Sequence, residues 1–201
     1  MGAKPKAMKN NRITLVSYNR HKFQEYLHLF KSLPLKLDPL DSSFKGLLLE
    51  DGDSFEANAI QKVNQVPLQD QYIFAEDSGL MIDALEGAPG IYSRRYSGID
   101  DARANNRKAL NAMTDIQDRS ATFVAVIALK TPTGETTLFK GQCPGYIHTE
   151  EAGDTGHGYD PIFIPVGSAK TFAEMGPEAK AKVSHRQAAA KKLIQHLKTI
   201  L

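Results

Sequence analysis

The order of strand-like and helix-like segments limits the fold of this chain more than any other feature. The β-branched run at residues 13–16 is followed by a polar loop at 17–19 and by apolar residues at helical spacing: Phe23, Tyr26, Leu27 and Phe30. This order predicts a strand, a loop and a helix. A second strand is expected at residues 72–75, and the polar run at 76–79 that follows it is typical of a turn.

Three more helices are predicted from their start signals and spacing. Asp53 can cap one of them, with Glu56 three residues on, as in a capping box. Residues 101–113 are good helix formers. Ser184 and Gln187 form a second capping-box pattern before the last, amphipathic helix. Its apolar positions are Ala190, Leu193, Ile194, Leu197 and Leu201.

A β-hairpin is predicted where residues 121–129 and 136–139 flank the turn-forming residues 132–134. Residues 145–148 are expected to add a strand. A hairpin combined with strand–helix alternation indicates an α/β domain on a mixed β-sheet with flanking helices. Because 201 residues can bury a core of their own, we expect one domain at residues 12–201, with or without two lobes.

The N-terminus, charge and apolar runs limit the class of protein. Residues 1–11 carry three lysines without apolar periodicity, so a disordered leader or an expression remnant is expected there. A formal net charge of +2 is too small to indicate a nucleic-acid or membrane surface. The longest apolar run, residues 123–129, is far shorter than the ~20 residues of a membrane helix. With Cys143 as the only cysteine, we expect a soluble, cytoplasmic protein.

Acidic residues form the first candidate site. Glu76 and Asp77 follow a predicted buried strand and are expected at an edge of the sheet, and Glu50 precedes a similar acidic run at residues 51–53. Two or three carboxylate oxygens, beside water and phosphate, are the usual surroundings of Mg²⁺. The same residue types are ordinary turn formers, so a solvated turn is the alternative interpretation.

Basic residues near two helices form the second candidate site. The loop at residues 17–22 leads into a helix N-terminus, where backbone amides and the helix dipole favour phosphate. Lys22 would add a positive charge, although the loop lacks the glycines of a Walker loop. Asn58 and Lys62, four residues apart, share one face of the second helix. A solvent-facing turn of helix is the alternative for this pair.

A third group of polar residues lies late in the chain, at residues 156–161, Lys180 and residues 184–186. If Ser184 caps the last helix, His185 and Arg186 stand in its first turn, where the dipole disfavours cations. This position indicates an external acceptor, such as a carbonyl or a phosphate, unless the two side chains are simply exposed. Tyr159 and Asp160 could offer a base a stacking face and a hydrogen-bond acceptor.

Five segments, taken in order, resemble the inosine triphosphate pyrophosphatase family. They are SYNRHKFQE, EDGDSFEANAIQK, AEDSGLMIDALEGAPGIYSRRYSG, GHGYDPIFIP and KTFAEMGPEAKAKVSHR, and they extend from about residue 13 to the last helix. The resemblance implies an elongated α/β fold with an active-site cleft between two lobes, usually as a homodimer. It also implies Mg²⁺-dependent hydrolysis of inosine, deoxyinosine and xanthosine triphosphates to the monophosphate and pyrophosphate.

The resemblance also implies roles for particular residues. Glu50 and Asp77 match the metal-site carboxylates, with Asp77 as the base that activates water and Glu76 in support. The positions that match triphosphate-binding residues are Ser17, Asn19, Lys22 and Lys62. The other positions that match substrate-binding residues, mostly around the base, are Ser78, His157, Tyr159, Asp160, Lys180, His185 and Arg186.

These roles would explain a preference for keto purines. A keto oxygen at purine C6 would accept from His185 or Arg186, whereas the amino group of adenine leaves each donor unsatisfied, at ~1–3 kcal/mol. Two positions depart from the family: Ala57, beside Glu56, stands where Glu is usual, and His157 stands where Phe is usual.

Two other functions remain as alternatives. The first is a pyrophosphatase of the Maf type with another base preference, and the intact SHR and GYDP segments argue against it. The second is a non-catalytic nucleotide-binding or RNA-binding module, and the metal-site carboxylates argue against it. We therefore expect a purine nucleoside triphosphate as the partner, and neither a nucleic acid nor a membrane.

Overall fold

The computed structural model describes residues 11–44, 46, 48–67 and 70–201 of the chain. The leader predicted at residues 1–11 lies outside the described residues, except for Asn11. The contacts within the chain define two units. Unit 1 comprises Met1–Asp77, Val126–Lys140 and Ala189–Leu201, and unit 2 comprises Ser78–Ala125 and Gly141–Ala188.

A six-stranded mixed sheet organises the described chain. Its strands are β1 (Arg12–Leu15), β2 (Lys36–Pro39), β3 (Tyr72–Ile82), β4 (Ser120–Lys130), β5 (Thr136–Ile147) and β6 (Phe163–Pro165). Their order is β2-β1-β3-β4-β5-β6. Strand β1 pairs in parallel with β2 and β3, whereas β5 and β6 pair antiparallel. The predicted α/β fold on a mixed sheet is confirmed.

Five α-helices accompany the sheet in the described part of the chain: α1 (Arg20–Leu29), α2 (Phe55–Asn64), α3 (Ala102–Ala112), α4 (Phe172–Val183) and α5 (His185–Leu197). The predicted strand–loop–helix at the start, the helix at residues 101–113 and the amphipathic last helix are confirmed. The predicted hairpin is also present, because β4 and β5 are consecutive neighbours in the sheet. None of the described helices has the length and apolar character that crossing a membrane requires.

The predicted turn at residues 76–79 is wrong, because β3 continues through these residues to Ile82. The expectation that Glu76 and Asp77 lie at an edge of the sheet is also wrong, because β3 lies between β1 and β4. Both carboxylates are buried inside unit 1. A buried carboxylate is tolerated in a strand when it is paired and hydrogen-bonded. The chain supplies such partners here, as described below.

Two predicted helix starts also differ in detail. The N-cap of α2 is Ser54, whose Oγ accepts from the backbone N of Ala57, rather than Asp53. Ser184 does cap α5 by accepting from the backbone N of Gln187 at 3.1 Å. The backbone N of Ser184 donates to the carbonyl of Lys180 instead of to Gln187, so the capping box is incomplete.

Each unit has its own aromatic packing. In unit 1 the ring of Tyr26 meets Phe74 edge-on, with 5.0 Å between centroids. In unit 2 a cluster of buried residues includes Phe123, Phe163 and Phe172. Aromatic contacts of this kind bury large apolar surfaces and prefer tilted or offset geometry. They hold the strands and helices that carry the polar residues of each unit.

Candidate functional site

Three acidic residues of unit 1 surround the ammonium group of Lys62. Its Nζ lies 2.7 Å from Glu50 Oε1 and 3.2 Å from Asp77 Oδ1, and it donates to the carbonyl of Glu76 at 2.8 Å. Lys62 is only 3% exposed. One ammonium therefore balances two carboxylates that come from a loop and from a central strand. We call Glu50, Glu76, Asp77, Lys22 and Lys62 the carboxylate–lysine cluster.

Glu76 is the inner carboxylate of this cluster. Its Oε2 accepts from the hydroxyl of Tyr26 at 2.5 Å, and its Oε1 lies 3.3 Å from Lys22 Nζ. Lys22 also donates to the carbonyl of Glu76 at 3.2 Å. The two lysines thus meet at one carbonyl oxygen but contact different carboxylates. Because its side chain is fully buried and bonded, Glu76 is a supporting residue in this arrangement.

Asp77 is held from two sides. While Oδ1 faces Lys62, Oδ2 accepts from Asn58 Nδ2 at 3.0 Å. The Oδ1 of Asn58 in turn accepts from the backbone N of Gly52 at 2.8 Å. A Cβ at Gly52 would come within 2.9 Å of Asn58 Oδ1, so this approach requires glycine. Asn58 therefore orients Asp77 and ties the loop before α2 to it.

The loop before α1 brings Lys22 to the cluster. The backbone N of Asn19 donates to Ser17 Oγ at 3.1 Å, and Asn19 Oδ1 accepts from the backbone N of Lys22 at 3.1 Å. Asn19 is therefore the N-cap of α1. In this state Ser17 and Asn19 shape the loop, and Lys22 extends from the first turn of the helix to Glu76.

The donor set suits a hard cation. Among the described residues, no group of three or more histidine, cysteine, aspartate or glutamate side chains is arranged to hold a metal ion. Glu50 and Asp77 instead offer two carboxylates next to one ammonium. Mg²⁺ is commonly bound by one or two carboxylates, with water and substrate phosphates completing its shell. Glu50 and Asp77 are therefore the residues of this cluster whose carboxylates could hold a divalent cation.

A buried ion pair lies in unit 2. Lys180 Nζ lies 2.6 Å from Asp160 Oδ2, and these residues are 7% and 1% exposed. The same carboxylate oxygen accepts from the backbone N of His157 at 2.8 Å. At Gly156, where φ is +80°, a Cβ would come within 2.3 Å of that oxygen. Asp160 thus fixes the loop that presents the half-buried His157.

Tyr159 anchors the same loop to the core of unit 2. Its ring is buried, and its hydroxyl donates to the carbonyl of Ser93 at 2.8 Å. Burial raises the pKa of Tyr159 well above its usual range, and the neighbouring Tyr96 adds to this shift. The prediction that Tyr159 offers a stacking face to a base stays a prediction.

The start of α5 places His185 and Arg186 inside unit 2. His185 is 5% exposed and stacks on Phe123, with 4.7 Å between ring centroids and 9° between planes. Arg186 is also buried, and its Nη2 lies 3.5 Å from Ser78 Oγ. The alternative that these are two exposed side chains is therefore wrong. Ser78 and Arg186 lie close together, and their binding roles stay predictions.

Some contacting residues were not identified from the sequence. Tyr26 and Phe123 occupy apolar positions of a helix and a strand, and nothing local indicates their polar or stacking partners.

Glu56, the acidic residue next to Ala57, forms an ion pair with Lys140 at 3.0 Å. Burial acts to raise the pKa of the Glu56 carboxyl, whereas the hydrogen bond and positive charge of Lys140 act to lower it. The net result is a pKa below the usual value for glutamate.

Comparison with known proteins shows which proteins this chain is similar to. The sequence pattern of the Ham1 family matches residues 13–196. A dITP/XTP pyrophosphatase from Leifsonia xyli subsp. xyli is 42% identical over 195 residues, which cover 94% of this chain and 96% of that protein. One from Leuconostoc mesenteroides subsp. mesenteroides is 40% identical over 189 residues, covering 90% and 94%.

Solved structures show the same fold. The Staphylococcus aureus Ham1 protein superposes with a TM-score of 0.82 at 35% identity, covering 93% of this chain and 98% of that one. A HAM1 protein from Coxiella burnetii gives a TM-score of 0.81 at 35% identity, with the same coverage. Sequence and fold therefore agree over nearly the whole chain, which belongs to the Ham1 family.

Proposed function

We propose that this protein hydrolyses deaminated purine nucleoside triphosphates, such as dITP, ITP and XTP, to the monophosphate and pyrophosphate. The names of its relatives support the substrate class. The observation that carries the proposal is the position of Lys62 between Glu50 and Asp77. Carboxylates for a divalent cation and ammonium groups for phosphate oxygens stand in one cluster, which is the combination that the reaction needs.

Glu50 and Asp77 would hold Mg²⁺. When bound, the ion would polarise the phosphate and favour deprotonation of water. Lys22 and Lys62 donate to oxygens of the triphosphate, which neutralises the charge that develops on the leaving pyrophosphate. Ser17 and Asn19 keep the loop before α1 in the conformation that presents Lys22, and their polar groups lie at the helix N-terminus that favours phosphate.

Asp77 acts as the base. Its carboxylate takes a proton from water as the water oxygen bonds to the α-phosphorus, and the bond from that phosphorus to the pyrophosphate oxygen breaks. Asn58 keeps Asp77 in one orientation through its hydrogen bond to Oδ2. Glu76 holds Lys22 in reach and is not itself a reacting group.

Unit 2 supplies base recognition. His185 and Arg186 donate to the C6 keto oxygen, and Ser78 acts with Arg186. Asp160 and Lys180 hold the loop that carries His157 and Tyr159 next to the base. Adenine offers an amino group at C6, so each unmatched donor costs it about 1–3 kcal/mol. The domain would span residues 12–201 and act in the cytoplasm as a homodimer, without nucleic acid or membrane.

The reaction can be tested by identifying its products and by following an oxygen isotope from water into one of them. Hydrolysis of dITP in ¹⁸O-labelled water with Mg²⁺ should release pyrophosphate and place the label in the monophosphate, as read by ³¹P NMR. EDTA should stop the reaction. Release of inorganic phosphate with a nucleoside diphosphate would contradict attack at the α-phosphorus, and full activity in EDTA would contradict the metal.

A further inference from the structure

His185 is held by an aromatic surface as well as by its place at the start of α5. Its imidazole lies nearly parallel to the ring of Phe123, at 4.7 Å between centroids and 9° between planes. Both residues are almost fully buried in unit 2. A flat stack of this kind restricts rotation of the imidazole about χ2, which is otherwise a broad and weakly restrained torsion.

Phe123 is itself fixed by two neighbouring rings. Phe163 meets it edge-on, with 4.6 Å between centroids and 67° between planes. Phe172 lies nearly parallel to it at 5.9 Å and 23°. Phe163 and Phe172 are 0% and 1% exposed, so they belong to the closely packed core of unit 2. The plane of the imidazole is therefore set by the core through a single ring on β4.

We propose that Phe123 is a positioning residue that fixes the plane of His185 and thereby the discrimination between a keto and an amino group on the purine. This inference rests on the proposed function of His185. A hydrogen bond weakens steeply as its angle departs from linear, so a tilted imidazole would form a weaker hydrogen bond to the keto oxygen. Phe123 contributes to specificity without touching the substrate.

The test compares substitutions of two buried residues in one core cluster. Phe123→Leu removes the ring stacked on His185, whereas Met113→Ala removes a buried, non-aromatic side chain of the same cluster. We expect Phe123→Leu to lower the ratio of kcat/KM for dITP to that for ATP about three- to tenfold. The change should lie mainly in KM for dITP. Met113→Ala should keep the ratio within about twofold although it also destabilises the core, and Phe123→Tyr should preserve the wild-type ratio.

An NMR readout separates positioning from general loss of structure. A proton of His185 above the Phe123 ring is shifted by the ring current, so its resonance should lie upfield in the wild type and in Phe123→Tyr. That shift should be lost in Phe123→Leu. An unshifted His185 in the wild type would overturn the proposal even if the leucine variant did not fold. A folded Phe123→Leu with unchanged discrimination would also overturn it.

The two proposals can fail separately. If the wild type released no pyrophosphate from dITP, the proposed function would fail, and specificity set by Phe123 would fail with it. If the wild type discriminated and Phe123→Leu discriminated equally well, only the role of Phe123 would be lost.

Discussion

The two units hold their charged residues in different ways. In unit 1, three carboxylates and two lysines make the carboxylate–lysine cluster, so at formal charges one negative charge is left over. In unit 2, Asp160 and Lys180 form a closed pair with no charge in excess. A surplus of buried negative charge attracts a cation, whereas a neutral pair fixes a conformation. The first arrangement is suited to binding a cation, and the second is suited to holding the loop that carries His157.

The comparison predicts its largest effect at Asp77. Asp77→Asn should lower kcat for dITP by about three orders of magnitude, because under the proposed function it removes both a metal ligand and the base. The amide keeps the size of the carboxylate and can still accept from Asn58, so the fold should persist by circular dichroism. Asp38→Asn, which changes a carboxylate paired with exposed Arg12, is the matched control and should be nearly fully active. Near-normal turnover by Asp77→Asn would remove Asp77 from the reaction.

The closed pair of unit 2 should matter most for stability. Lys180→Met leaves Asp160 buried without its counter-charge, so urea denaturation should show a loss of about 3–5 kcal/mol in the free energy of unfolding. Lys140→Met breaks the partly exposed pair with Glu56 and should cost about 0–1 kcal/mol. Equal losses in the two variants would show that the Asp160–Lys180 pair does not hold its loop.

The surplus charge of unit 1 can be tested by metal binding without substrate. Lys62→Met leaves Glu50 and Asp77 uncompensated, so Mn²⁺, followed by electron paramagnetic resonance, should bind about tenfold more tightly than to the wild type. Lys22→Met removes the same charge at the same carbonyl but away from these two carboxylates. It should change the affinity less than about threefold. An equal gain in both variants would mean that Lys62 has no special relation to the metal ligands.

The local pattern of apolar residues in the sequence predicts many of the strands and helices but not all of them. Periodicity was sufficient for β1, α1, α3 and the β4–β5 hairpin. It missed α4, where Gly176 and Pro177 interrupt the helical pattern, with Gly176 at φ 74°. It also missed β2 and β6, which contain only four and three residues. Short edge strands carry too few residues to show an alternating pattern.

The candidate site shows the same limit. Glu76 and Asp77 have the local composition of a turn, but their partners lie far away in the chain: Lys22 is 54 residues from Glu76, and Lys62 is 14. Only the folded structure shows that these lysines compensate the charge of carboxylates that lie within a strand. The role of Tyr26 could not be predicted either. Its position in α1 is apolar, and its hydroxyl donates a hydrogen bond to the distant Glu76.

The most direct test of the account is the base preference of the wild-type protein. Pyrophosphate release should be measured with Mg²⁺ on dITP and ATP at concentrations well below KM, so that the rates give kcat/KM. We expect dITP to be preferred by at least about tenfold, since adenine leaves one or both of the His185 and Arg186 donors unmatched. Equal values of kcat/KM for dITP and ATP would contradict the assignment of unit 2 to base recognition.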